Sequence, residues 1–485
     1  RSSGALKPAS WWQGARLSRD TIVTMPMQGF VAAAVVVALL PIAWLDMWRR
    51  VLIVATALLL AVNAADQATA QLAYFPRLGM VVALAVVTWT SQPRLGVSAS
   101  LTGLSAWFIR ALWMMPAVTG VSTLWSMDPV ETAAQTVMLT CLVVIIQGGL
   151  TRRWSTPEDV LDDLTGPFWL ITASFVLSLV AFWTGQPGAT GYTGRMQGLF
   201  NNPNVVGMLT VLTLPLAWAL FRQTRSWLYP VAGVISAVAL LLCGSRTPIV
   251  AMAIALVWFT LRSPLRTAAP VLYAGALAGT AYLFAIFVFR APLPLPDLQE
   301  GTLARFAQNE GGTALNLRDV IWEVSLDLWA QHPLGGLGYG AAPGVLTSDL
   351  TFSTYGFTIP SVHNGYLQWF IETGLLGLLP LLALLCVTVA AVYQVPAASI
   401  AGPMAVMAVA GLLLQVTESA TFGTGQPFPY LFWACVAACT LTASRRVPHP
   451  TADRTQTTRS HHVDAHSAAG SHRIPLHRRS AISVR

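Results

Sequence analysis

Residues 372–395, ETGLLGLLPLLALLCVTVAAVYQV, run for twenty-four positions with a single charged side chain, Glu372, at the first of them. A spanning helix needs roughly 20 mostly apolar residues, so this stretch predicts a membrane crossing. Working outward, runs of similar character recur near 23–45, 50–65, 78–91, 101–125, 133–150, 166–185, 204–221, 227–243, 247–261, 270–290, 402–418 and 427–443. The whole chain agrees: 55% of its residues are hydrophobic, 10% are charged and mean hydropathy is +0.60. Such a composition excludes a soluble domain. No alternating pattern with regular turns is present, which argues against a barrel. We therefore expect an all-α polytopic membrane protein of about twelve transmembrane helices.

Charge divides the chain. Residues 444–485 hold eight arginines and two aspartates, so 8 − 2 gives six of the +8 formal net charge. This tail, with six of the eight histidines, reads as a disordered basic segment drawn to anionic lipid. Excess Lys and Arg mark cytoplasmic loops. Counting loops back from a cytoplasmic tail puts Arg262 with Arg266, Arg222 with Arg225, Arg152 with Arg153, Arg94, and Arg49 with Arg50 on one side. Residues 1–20 carry Arg1, Lys7, Arg16 and Arg19 and are expected inside as well, which needs one of the two short early runs not to be a full span. That N-terminal stretch has no defensible cleavable signal and does not begin with Met. The expected organisation is an N-terminal cytoplasmic segment 1–20, a transmembrane domain 21–443 and the tail 444–485. All five cysteines fall inside apolar runs and suggest neither a disulfide framework nor a metal site.

The outer loops should be poor in arginine, yet they hold Arg195 in GYTGRMQGLFNNPNVVG, Arg246 in LLCGSRTPIV and Arg318 in the long external loop 291–362. Each has a plain alternative, snorkelling to a lipid phosphate or capping a helix. Arg246, pressed between two spans, is the strongest candidate. Within the loop, NLRDVIWEVSLDLWAQHP starts with an Asn-x-x-Asp capping signal and spaces Leu317, Ile321, Val324 and Leu328 as an amphipathic helix lying on the membrane surface. PLGGLGYG follows, where backbone could approach a ligand or simply turn. His332 fits an interaction with terminal carbonyls. His363, in SVHNGYLQWFIETGLLG, lies where the loop re-enters the membrane, and an imidazole there is a candidate proton acceptor. Glu372 either orients His363 or simply caps its span or faces a polar cavity, and Glu418 is a weaker acid near the same side.

The order of these strings is informative. An arginine followed by FNNPNVVG, then GSRT, then R-x-x-x-W with P-x-G-G-x-G-Y-G, then His363, Asn364, Glu372 and Gly374 in HNGYLQWFIETG, resembles the O-antigen ligase and polymerase family of bacterial cell-envelope glycosyltransferases, over about residues 190–395. The resemblance implies a membrane glycosyltransferase (GT-C-like) fold, multi-pass in the bacterial inner (plasma) membrane with its site facing outside. It also implies no cofactor and no metal, a lipid-linked oligosaccharide donor on a polyprenyl (undecaprenyl) diphosphate, and a glycan, lipid or protein acceptor, with membrane lipids around it and no nucleic acid partner. The expected activity is inverting transfer of a glycan to an acceptor hydroxyl, as a ligation or a polymerisation. His363 would be the base, Arg195, Arg246 and Arg318 would hold the diphosphate, and Asn364 and Glu372 would support them. Two alternatives stand: a membrane transporter of a small solute or polysaccharide precursor, expected to show mid-span ionisable groups, repeats or broken helices, and a peptidoglycan polymerase of the shape and division type, expected to use a loop acid.

Overall fold

Helix starts in this chain are written in its capping residues. Asp46, Asp128, Thr156, Asn202 and Asn364 each accept a backbone N–H of the turn that follows them, and Pro129, Pro157 and Pro203 occupy the first helical position. The computed structural model describes residues 45–64, 67–94, 101–191, 194–263, 318–348 and 361–445. Its helices are α1 (Met47–Ala61), α2 (Gln67–Thr90), α3 (Gly103–Ser122), α4 (Pro129–Gly148, continued by a π-turn Gly149–Arg153), α5 (Pro157–Trp183), α6 (Pro203–Thr224), α7 (Leu228–Cys243), α8 (Arg246–Arg262), α9 (Arg318–Gln331), α10 (Ala342–Ser348), α11 (Gly365–Gln394), α12 (Ala401–Leu414) and α13 (Phe428–Ser444). Apart from two isolated bridges, Ala64 with Phe200 and Thr190 with Met196, no strand is formed among the described residues.

The expected runs that fall on described residues coincide with helices; those at 23–45 and 270–290, residues 1–20 and the tail beyond Arg445 lie outside them. Both early runs are helices, α1 and α2, so the structure does not single out one that fails. Among the described residues, five helices are long and apolar enough to cross a membrane: Gly103–Ser122, Pro129–Arg153, Pro157–Trp183, Pro203–Thr224 and Gly365–Gln394. The chain is thus an integral membrane protein. α12 and α13 are shorter, yet nearly all their side chains are buried. A helix that is apolar all round belongs inside the bundle, where α12 packs on α6, α8 and α13.

The bundle has two unlike ends. At one, the buried carboxylate of Asp163 accepts from Arg49 Nε at 2.8 Å, Arg153 Nε at 3.1 Å and Trp154 Nε1 at 3.0 Å. Asp46 lies beside them, 3.2 Å from Arg153 and 3.5 Å from Arg94. Arg222 donates to the carbonyls of Ala397, Ala398 and Ser399, Arg262 to those of Val392 and Tyr393, and Arg445 to that of Ser155. Of the loop arginines assigned by sequence to one side, Arg49, Arg94, Arg153, Arg222 and Arg262 gather at this end, and Arg266 lies outside the described residues. The cavity described next opens at the other, between the starts of α4, α6 and α11 and the end of α12.

Candidate functional site

The cavity holds about 1080 Å³, at the upper end of the range for ligand sites, and many polar side chains reach its partly apolar wall: Asn63, Asp128, Glu131, Gln135, Asn204, His363, Gln368, Glu372 and Glu418 all face it. Its centre of organisation is Glu418, a buried acid in the turn after α12. Glu418 Oε1 accepts from Arg318 Nη2 at 2.8 Å and from Asn204 Nδ2 at 3.0 Å. Asn204 Oδ1 in turn accepts from Arg195 Nη2 at 2.9 Å and from the Ser245 hydroxyl at 3.2 Å, while Arg195 Nε donates to the Cys243 carbonyl at 2.7 Å. On the other oxygen, Glu418 Oε2 stands 3.4 Å from His363 Nδ1. One carboxylate therefore joins two guanidinium groups and an imidazole drawn from three distant stretches of chain. Two of the three outer arginines singled out by sequence, Arg195 and Arg318, share this network with His363.

Arg246 is different. Gly244 takes a left-handed turn (φ 57°) that brings the Ser245 hydroxyl onto Asn204 and leaves Arg246 exposed as the first residue of α8, not among the residues facing the cavity. The structure therefore does not bring Arg246 together with Arg195, Arg318 and His363; its closeness to two spans is that of a helix start at the surface. The sequence left open whether Glu372 orients His363. The carboxylate beside it is that of Glu418, whereas Glu372 accepts from Gln368 Nε2 at 3.0 Å and from the backbone of Gly340 and Ala342.

The glycine string and the Glu-x-Gly string turn out to be one feature. α11 breaks at Gly374 (φ 61°, ψ −157°), and PLGGLGYG is laid along the break: Leu337 N donates to the Ile371 carbonyl, Gly338 N to that of Glu372, and Leu375 and Leu376 donate back to Pro333 and Leu334. A Cβ on Gly374 would meet the Leu334 oxygen at 2.4 Å, and one on Gly336 the Glu372 carbonyl carbon at 2.5 Å. Close backbone approach is thus required by the protein itself. α9 is also docked: Ile321 is buried in a cluster with Leu346, Val362 and Ile371, with Val324 and Leu328 against it, so the apolar stripe meets protein rather than lying free on a membrane surface. His332 is exposed, and its carbonyl accepts the Gly336 N–H.

His363 has φ 54°, a left-handed conformation rare for a residue with a side chain. Asn364 follows as the cap of α11, its Oδ1 accepting Leu367 N at 3.0 Å. The cap fixes the helix start and with it the point from which the imidazole departs; strain retained at such a position is a mark of functional constraint. Among the described residues, no group of three His, Cys, Asp or Glu side chains is gathered closely enough to hold a metal ion.

These observations describe a membrane-embedded helical protein with a charged, hydrogen-bonded cavity at one end. Residues 231–382 match the family described as O-antigen ligase. The chain is also 27% identical over 264 residues to an O-antigen ligase of Pseudomonas aeruginosa strain PAO1, an alignment covering 47% of this chain and 58% of that protein. The chain thus spans little more than half the length of the curated relative it matches, and the kinship read from its strings is with the O-antigen ligase family. Arg246, Arg318, His363, Asn364 and Glu372 fall inside the matched family residues; Arg195 and Glu418 fall outside them.

Proposed function

We propose that this protein transfers a glycan from a polyprenyl diphosphate carrier to an acceptor hydroxyl at the extracytoplasmic face of the bacterial inner membrane, as a surface-polysaccharide ligase or polymerase. The observation that carries the reading is the Arg195–Asn204–Glu418 network, with Arg318 and His363 on the same carboxylate, at the wall of a cavity of ligand size. In this reading about twelve helices form a GT-C-like bundle and the arginine-rich end faces the cytosol. The domain limits 1–20, 21–443 and 444–485 are kept as part of it.

The chemistry follows from the geometry. A neutral imidazole whose Nδ1–H points at Glu418 carries its lone pair on Nε2. His363 takes the proton of the acceptor hydroxyl there while that oxygen bonds to the anomeric carbon from the face opposite the leaving group, inverting the configuration. The bond from the anomeric carbon to the diphosphate breaks, and the carrier departs with the electron pair. Glu418 steadies the imidazolium that forms. Developing negative charge on the diphosphate is met by the positive charge of Arg195 and Arg318, set just behind Asn204 and Glu418 in the cavity wall, with Arg246 adding charge from the start of α8. Metal and cofactor are not needed in this scheme. The helix break at Gly374 is a trait shared with carriers, but here the glycine string is hydrogen-bonded along it.

Transfer from a lipid-linked glycan in reconstituted vesicles tests the proposal. His363→Ala, inserted at the normal level, is expected to lose transfer by roughly 10²–10⁴, the value of one positioned base. Wild-type turnover by that variant removes His363 from the base role, and solute uptake without transfer would replace the enzyme by a carrier.

A further inference from the structure

The cavity has a cation of its own that none of the outer-loop strings contains. Arg77 follows Pro76 on α2, is 7% exposed, and faces the cavity. Ten residues separate it from the helix start at Gln67, which at 1.5 Å per residue sets it about 15 Å along the helix. Among the described residues it is the one lysine or arginine in the cavity wall; Arg195 and Arg318 stand behind Asn204 and Glu418.

Its guanidinium is positioned from the far end of the sequence. Arg77 Nη1 donates to the Gly425 carbonyl at 3.2 Å, and a Cβ on Gly425 would meet that nitrogen at 3.1 Å, so the fork packs where a side chain is missing. The Gly425 segment is pinned in turn. Thr424 Oγ1 donates to Gln135 Oε1 at 3.0 Å, Gln135 Nε2 donates to Glu131 Oε1 at 2.7 Å, and the Tyr430 hydroxyl donates to the Thr424 carbonyl at 3.1 Å.

We propose that Arg77 is an anion-binding residue of the cavity, contributed by the N-terminal helices and recognising phosphate oxygens. The inference rests on the diphosphate-donor reading above and adds a residue outside the matched segment 231–382. An arginine stays charged at any working pH, and its planar fork holds phosphate oxygens in pairs. Buried arginines in membrane proteins face interior cavities and mark ligand pathways. Asp128, Glu131, Glu372 and Glu418 also face the cavity, so Arg77 is the described wall side chain whose charge can attract a phosphate. The phosphate can come from a lipid-linked diphosphate or from a phospholipid headgroup, and the test separates the two.

The full chain in phosphatidylcholine nanodiscs is titrated with a polyprenyl diphosphate, the same polyprenol without phosphate, and phosphatidylglycerol. The wild type is expected to bind the diphosphate about tenfold or more tightly than the polyprenol, the value of a charge-assisted hydrogen bond. Arg77→Gln is expected to erase that preference with polyprenol binding unchanged. Arg77→Lys, which keeps the charge, carries the test if the glutamine variant does not accumulate; loss of the fork should weaken diphosphate binding by about threefold, and unchanged binding overturns the proposal. So does equal loss of diphosphate and polyprenol in Arg77→Gln, which would mark a residue that only holds Gly425. Phosphatidylglycerol bound as tightly as the diphosphate, and released by Arg77→Gln, supports the anion site and assigns it to a headgroup. A wild type that transfers glycan while Arg77→Gln binds the diphosphate normally overturns the role of Arg77 alone, and a wild type without preference for any phosphate overturns the donor reading with it.

Discussion

Glu418→Gln isolates the charge at the centre of the network while keeping the shape of the side chain. Two effects are expected, and the structure sizes them separately. For stability, the variant leaves Arg318 without its carboxylate at 2.8 Å, in a pair whose side chains are 17% and 7% exposed. Removing one member of a buried pair costs about 3–5 kcal/mol, and the residual exposure of Arg318 sets the expectation at about 3 kcal/mol. For catalysis, the carboxylate behind the imidazole of a Ser-His-Asp triad is worth roughly 10⁴ in turnover. Here the His363 to Glu418 separation of 3.4 Å is longer than the roughly 2.6–3.2 Å of a close catalytic contact. A loss of about 10²–10³, or about 2.7–4 kcal/mol of barrier, is the matching estimate. Thermal unfolding in detergent reads the first quantity, and transfer per folded molecule in vesicles reads the second.

A double-mutant cycle distinguishes positioning from packing. If Glu418 acts through His363, its substitution should cost turnover in the wild type and almost nothing more in the His363→Ala background, because residues acting as a unit are not additive. Turnover within about threefold of wild type for Glu418→Gln, or full additivity with His363→Ala, would refute the argument that the two form one catalytic pair.

Other outcomes follow from the same geometry. Arg195→Lys keeps the charge but loses the two-pronged link to Asn204 and the Cys243 carbonyl, so transfer should fall by about tenfold or more, and by more than in Arg246→Lys at the exposed start of α8; the reverse order in the vesicle assay would restore Arg246 as the principal clamp. Gly374→Ala should cost about 3 kcal/mol or prevent accumulation, since a Cβ there meets the Leu334 oxygen at 2.4 Å on a backbone with φ 61°, and unchanged thermal stability would contradict the break in α11. At the opposite end, partial burial disfavours the charge of Asp46, but the Arg49 N–H and the Arg153 guanidinium outweigh it and hold its carboxyl below the ordinary value of 3.8. A depressed folded pKa means stability present above the unfolded value and lost as pH falls through the folded one. Acid unfolding below about pH 4 should therefore be shallower in Asp46→Asn than in the wild type, and identical acid profiles would deny Asp46 that role.

Hydropathy alone made the helices legible, because length and apolar character are properties of a single continuous stretch. Capping residues mark their starts as well: Asn364 precedes Gly365 and Asn202 precedes Pro203. What escaped was direction and partnership between segments. Arg246 lies as close to the apolar runs in sequence as any outer arginine, yet the left-handed turn at Gly244 decides that Ser245, and not Arg246, meets the network. Glu418 lies in the string LLLQVTESA, fifty-five residues after His363, and only the return of the end of α12 to the start of α11, where Gly365 N donates to the Gln415 carbonyl, brings the two together. The glycines of PLGGLGYG announced a close approach without naming the partner, which is the break that Gly374 makes in α11. Arg77 was the most accessible omission. It is the lone basic residue between two early apolar runs, on the side where the loop-counting rule expects few, so the argument that raised Arg195 and Arg318 applied to it equally. A cation on the basic-poor side of a membrane protein has to be accounted for even where it abuts an apolar run, because the free energy of burying it is large and its place in the fold must offset that cost.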